Sequence, residues 1–293
     1  MTKFPVAAGI ALALVAGSAL AADLPSRKGP PPAYIPPPPA FSWTGLYGGI
    51  NIGYGFSAGG VQDGGLTVLP PATANHFAFW SAGAGVNGVA GGGQVGYNYQ
   101  FNPWFVVGLE ADIQAADING VQNLVGPMPA PNNAATQASF VNSAKYVDWF
   151  GTVRGRLGVT LPSYPNLMVY GTGGFAYGGV NHTVGLAVVN SGPGAGSMIG
   201  KGVYDGVSTG WTAGGGVEWT PLSFPAWSLK VEYLYTNLGS TRVAASGPNA
   251  NGFYYACCVF AGAHQAPTDW HTVRAGLNWH FNPFAAAPVV AKY

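Results

Sequence analysis

Eight segments whose hydrophobicity alternates residue by residue are separated by connections that are alternately long and short, and few folds can satisfy that pattern. The segments are 44–56, 91–100, 105–116, 149–160, 167–184, 210–219, 227–237 and 270–281. Residues 57–90, 117–148, 185–209 and 238–269 make the long connections, and 101–104, 161–166 and 220–226 the short ones. Alternation with period two is the signature of a strand whose faces meet different surroundings. Most segments have about the ~9–11 residues that a tilted strand needs to cross a bilayer. Tight turns on one side and generous loops on the other are what an outer-membrane barrel requires. The expected fold is therefore all-β, an eight-stranded antiparallel up-and-down transmembrane β-barrel with both chain ends on the periplasmic side. Its short turns, FNPW, LPSYPN and TPLSFPA, each contain proline, which suits a turn and not a central strand.

The ends of the chain place it in the envelope. Residues 1–21 read as a secretory signal peptide: Lys3, a short apolar run, then small residues before Ala22-Asp23. Residues 22–42, with prolines at 30–32 and 36–39, read as an extended periplasmic tether, 43–281 as the barrel and 282–293 as a C-terminal tail. Beyond the leader no apolar run approaches the ~18 residues of a membrane helix. Of 11 Lys and Arg against 10 Asp and Glu, Lys3 leaves with the signal, so the mature chain carries no net field directed at nucleic acid. Cys257 and Cys258 are adjacent and close no useful loop.

Tryptophan is sorted into two levels. Trp149, Trp211 and Trp270 open segments after long connections, while Trp43, Trp104, Trp219, Trp227 and Trp279 lie beside short turns or the periplasmic ends. These eight are the expected aromatic girdles, since an indole has an apolar body and a polar N–H suited to the headgroup boundary. Only Trp80 falls outside the scheme.

Parity assigns the charges. Val107, Leu109, Ala111 and Ile113 oppose Glu110, Asp112 and Gln114; Val153, Leu157 and Val159 oppose Thr152, Arg154 and Arg156. Val217 and Trp219 oppose Glu218; Leu229, Val231 and Tyr233 oppose Lys230 and Glu232; Val273, Leu277 and Trp279 oppose Thr272, Arg274 and Asn278. An arginine on the lipid face at mid-membrane costs ~2–4 kcal/mol, so the charged face is the lumen. Glu110, Asp112, Glu218 and Glu232 balance Arg154, Arg156, Lys230 and Arg274 there. The interior of an eight-stranded barrel is about wide enough for side chains to fill it, so an ion network and a plugged or very narrow lumen are expected. Gly49, Gly53, Gly96, Gly214 and Gly216 on the same face make room for it.

The motifs WTGLYGGINIGYGFS, WFGTVRGRLGV and DWHTVRAGLNWHF, with the signal peptide and the ADLP start that follows it, resemble the outer-membrane β-barrel proteins of alphaproteobacteria in the RopB-like and opacity-type porin superfamily. The resemblance covers roughly 43–281. It implies residence in the outer membrane, contact with outer-membrane lipid and lipopolysaccharide, and insertion by the barrel-assembly machinery, which reads a terminal aromatic residue in such barrels. Here NPFAAAPVVAKY follows the aromatic end at Phe281. Members of the superfamily are porins, envelope-integrity proteins or host-contact antigens. The reading carried forward is a barrel that supports the envelope and presents loops, with a small passive porin for ions or small solutes as the alternative. Peptidoglycan, through the tether, and host surface molecules, through the loops, are candidate partners.

Chemistry-bearing motifs are weak. Gly83-Ala84-Gly85-Val86-Asn87-Gly88 has glycine-rich spacing but no helix to receive a phosphate. His76, His182, His264, His271 and His280 lack metal-ligand spacing. Asp269 and His271 with a loop serine form no recognisable triad. No catalytic, cofactor-binding or metal-binding residue is assigned.

Overall fold

The computed structural model describes residues 41–59, 62–68, 77–82, 85–128, 136–191, 196–250 and 259–281. The signal peptide, all of the tether except Phe41 and Ser42, His76, Gly83, Ala84, Cys257, Cys258 and the C-terminal tail lie outside those residues. The strands in chain order are β1 (Gly45–Ser57), β2 (Gln62–Val68), β3 (Phe77–Ala82), β4 (Asn87–Gln100), β5 (Phe105–Met128), β6 (Thr136–Leu161), β7 (Tyr164–Ser191), β8 (Gly196–Trp219), β9 (Trp227–Ala250) and β10 (Val259–His280). Eight of them, β1 and β4 to β10, pair antiparallel in chain order, and β1 closes on β10 from Tyr47↔His280 to Ser57↔Trp270. Closure matters because an open sheet edge in hydrocarbon would leave backbone N–H and C=O groups with nothing to bind. The outward face carries Ile50, Leu109 and Leu157, each about two-thirds exposed on the isolated chain. A contiguous apolar belt of that kind belongs against lipid.

The long connections are shorter than expected. β5 to β9 have 24, 26, 28, 24 and 24 residues and β10 has 22, against the ~9–11 that cross a bilayer. Most of 117–148, 185–209 and 238–269 is therefore strand that continues beyond the membrane, and the first long connection contains the β2–β3 hairpin, which extends the outer wall by pairing β2 with Phe260–Gln265 of β10. The sequence signal disappears there for a physical reason. Outside the lipid the outward residues, such as Asp117, Asn123 and Asn142, meet water, while the inward ones, such as Ile118, Val147 and Val180, pack together. The hydrophobic alternation inverts although the hydrogen-bonded ladder goes on.

Bulges at this level change the parity. The β5–β6 register shifts between Ala115 and Ile118, the β6–β7 register between Val147 and Trp149, and the β9–β10 register between Pro267 and Asp269. Inward residues of β6 are even-numbered down to Phe150 and odd beyond it, at Val147, Lys145, Ser143 and Val141. In β9 the change falls after Leu238, at Gly239, whose φ of 80° is a left-handed conformation that glycine adopts without steric cost.

The interior is layered. At the periplasmic mouth Trp43, Val106, Met168 and Tyr170 form an apolar floor with Phe41 packed against it. Then comes a charged layer. Above it Val86, Ala90, Ile118, Val147, Phe150, Ala176, Val180, Leu238 and Trp270 make an apolar septum. Beyond the septum Ser143, Lys145, His182, Thr241 and His264 form a second polar layer.

Two girdle assignments need correction. Trp104, Trp211, Trp219, Trp227 and Trp279 are exposed on the outside and Trp149 is half-buried, but Trp43 and Trp270 are completely buried. Trp270 shares even parity with Thr272 and Arg274, so its ring turns inward and meets Phe150 edge-on with centroids 5.3 Å apart. Trp43 precedes β1 and folds under the barrel, its indole N–H donating to the Pro165 carbonyl at 2.9 Å.

Candidate functional site: the charged layer of the lumen

Inward residues of β5, β6, β8, β9 and β10 bring the eight charged side chains together, and none of those side chains is more than 3% exposed. The centre is Arg154. Its Nη2 meets Glu110 Oε1 at 2.5 Å and Asp112 Oδ2 at 2.9 Å, and its Nη1 meets Glu232 Oε1 at 3.0 Å. Nε donates to Thr152 Oγ1 at 2.9 Å, and that hydroxyl donates to Asp112. Arg274 completes the same cluster through Glu232 at 2.5 Å and Asp112 at 3.0 Å. Lys230 Nζ reaches both oxygens of Glu110 at 2.9 Å. Arg156 links Glu218 at 2.7 Å to Glu110 at 3.3 Å.

Side chains outside the expected set extend the network to every strand of the ring. Tyr47 of β1 accepts from Arg156 at 2.6 Å and donates to Glu110 at 2.7 Å; Tyr170 of β7 donates to Glu232 at 3.1 Å. The Arg156 guanidinium lies 3.9 Å from the Tyr170 ring centroid and 5.5 Å from that of Tyr47, within cation–π range. On the β4 side, Asn51 donates to Gln94, Gln94 donates to Asn278 at 2.6 Å, and Asn278 donates to Glu218 at 2.8 Å. Ser228 also donates to Glu218, at 2.6 Å, and lies 2.8 Å from His280 Nε2. Tyr47 was findable in the sequence, because it has the parity of Gly49, Asn51 and Gly53. Its ring occupies the space beside Gly96, where a Cβ would lie 2.4 Å from it, and Gly216 leaves similar room for the Tyr170 hydroxyl.

Four carboxylates facing four cations give a layer of zero formal charge in which each guanidinium meets at least two carboxylates. Charge-assisted pairs of this geometry are the strong class of hydrogen bond. They offset the desolvation of buried ions only as a complete set, so removal of one member leaves an uncompensated charge. The arrangement holds strands together and fills space.

The residues weighed for rim chemistry lie elsewhere. Asp269 accepts the Tyr235 hydroxyl at 3.0 Å, and His271 Nδ1 lies 2.6 Å from the Tyr233 hydroxyl with its ring stacked on Phe56. They belong to the outward parity of β10. Of the glycine-rich stretch, Asn87 and Gly88 open β4.

The second polar layer lies several residues outward of the Trp149 and Trp211 girdle. His182 Nε2 is 3.0 Å from Ser143 Oγ and Nδ1 is 2.9 Å from Thr241 Oγ1. Burial pushes the His182 imidazole down to about 3, assisted by the neighbouring positive charge of Lys145 and by His264. Burial also pushes the Lys145 ammonium down to about 8, against a smaller opposing pull from Asp269.

Comparison with known proteins agrees with this architecture. A model of the outer membrane protein beta-barrel domain matches residues 9–281. The 31 kDa outer-membrane immunogenic proteins of Brucella melitensis and Brucella suis are each 36% identical over 279 residues, covering 95% of this chain and 100% of theirs. Among solved structures, the outer membrane protein OprG from Pseudomonas aeruginosa is 11% identical, with 82% of this chain and 98% of that one covered and a TM-score of 0.38.

Proposed function

This chain belongs to the family of outer-membrane protein β-barrel domains and resides in the outer membrane, and we propose that it acts there as a closed barrel that supports the envelope and presents its outer wall as a contact surface. One observation carries the reading: the balanced ion network joins all eight strands of the ring and its charged side chains are buried. A lumen filled in this way serves rigidity before transport. The outward aliphatic belt and girdles fit acyl chains and lipopolysaccharide, and the long strands β5 to β10 carry the outer wall of the barrel beyond the lipid surface. The immunogenic name of the Brucella relatives favours a surface antigen with loops that meet host molecules.

The test is made on cells. Epitopes inserted at 129–135 and 251–258 are expected to be reached by antibody on intact cells, and a strain lacking the protein is expected to leak periplasmic enzyme and to gain detergent sensitivity. Epitopes silent until the cells are lysed, with an unchanged envelope, would overturn the proposal. A small passive porin is the competing reading. It draws support from Gln114, Thr272 and one Asp112 oxygen, polar groups between network and septum that have no protein partner and suit water.

A further inference from the structure

Beyond the septum the barrel encloses a buried cation, Lys145, that no inward carboxylate among the described residues answers. Lys145 is 1% exposed, and its Nζ donates to the carbonyl of Pro267, which uses one of the three donors of an ammonium group. The four carboxylates of the charged layer are all on the other side of the septum. Asp269, the acid that Lys145 senses, points to the outward side of β10 and is engaged by Tyr235. Asp148 and Asp205, on β6 and β8, are exposed on the outer surface.

The groups that surround Lys145 on the inward face are donors or neutral. It is the ladder partner of His182, whose ring meets that of His264 edge-on with centroids 5.5 Å apart. His182 is held between Ser143 and Thr241, so its two nitrogens are engaged. Thr268, next to Pro267, is completely buried, and its Oγ1 has no protein partner. Taking an ammonium group out of water costs several kcal/mol unless a counter-charge comes with it. Burial lowers the Lys145 amine to about 8, and the pull of Asp269 only partly opposes it.

We infer that the outer compartment of the barrel is a binding site for a small oxyanion, phosphate or carboxylate, with Lys145 supplying the charge and the Thr268 hydroxyl a further donor. The site is separate from the charged layer and independent of whether the lumen conducts. His182 positions the wall of the compartment through its two hydroxyl partners.

The experiment titrates inorganic phosphate, and acetate in a second arm, into refolded protein in detergent at pH 7 and constant ionic strength. The readouts are the thermal midpoint and the side-chain NMR signals of Lys145. In the native chain the midpoint rises and the Lys145 signals move with the anion; Lys145→Arg keeps the response. In Lys145→Met the apparent affinity falls about tenfold, as expected for one charged hydrogen bond. An equal response in Lys145→Met places the anion elsewhere and overturns the inference. Should that variant fail to refold, the native protein decides: stationary Lys145 signals throughout both titrations also overturn it. Phosphate without acetate, or the reverse, identifies which oxyanion the site takes.

Discussion

Arg154 of β6 and Glu110 of β5 are direct ladder partners, and the guanidinium meets the carboxylate at 2.5 Å with both side chains buried. The backbone register and the ion pair therefore specify each other. A one-residue slip of β5 on β6 would turn Glu110 toward lipid and leave Arg154 unpaired in the lumen.

Replacing Arg154 by alanine is accordingly expected to destabilise the refolded barrel by ~3–5 kcal/mol, because Glu110, Asp112 and Glu232 lose a shared counter-charge in a dry site. Denaturant midpoints read by heat-modifiable electrophoretic mobility measure this. An unchanged midpoint would mean that the layer contributes nothing to stability.

The septum should respond differently. Phe150→Ala removes a buried ring that packs on Trp270 and is expected to cost ~3–5 kcal/mol through the cavity it leaves, while the ion network below keeps the lumen closed. The pair of readouts is stability and bilayer current. A current that appears in Phe150→Ala would show that the septum, and not the charged layer, is the seal.

Tryptophan burial can be read by quenching with brominated lipid. In single-tryptophan variants Trp211 and Trp219 should be strongly quenched, and Trp43 and Trp270 nearly untouched, since the last two are completely buried. Strong quenching at Trp270 would restore it to the outer girdle.

The pH dependence has a definite sign. His182 titrates near 3 when folded and near 6.5 when unfolded, so between those values the unfolded chain binds more protons and stability falls as the pH falls. Lys145, at about 8 folded and 10.5 unfolded, adds stability as the pH rises through that interval. Comparison with His182→Gln should flatten the acid limb, and with Lys145→Met the alkaline limb. Identical profiles for native and variant chains would contradict these shifts.

The membrane-crossing half of the molecule was legible because lipid enforces alternation. Each of Glu110, Asp112, Arg154, Arg156, Glu218, Lys230, Glu232 and Arg274 stands opposite an aliphatic set, and parity alone turns them inward. The same rule would have placed Trp270 with Arg274, but its position after a long connection suggested a girdle; parity was the better guide. Trp43 lies before the first strand, where no periodicity applies. The outer strands were hidden for two reasons: water on their outward face removes the apolar half of the pattern, and bulges beside Asp148 and at Gly239 reverse the parity of β6 and β9. Lys145 and Thr241 lay beyond those reversals, and His182, at the outer end of segment 167–184, had no visible partner in the linear pattern, so the second polar layer went unrecognised.

The most direct test of a closed, ion-locked lumen is single-channel recording from refolded protein in a planar bilayer. The account predicts no steady conductance from the native chain across the usual voltage range. A steady current that falls when Arg154 or Glu110 is substituted would contradict it and make the charged layer the lining of a pore.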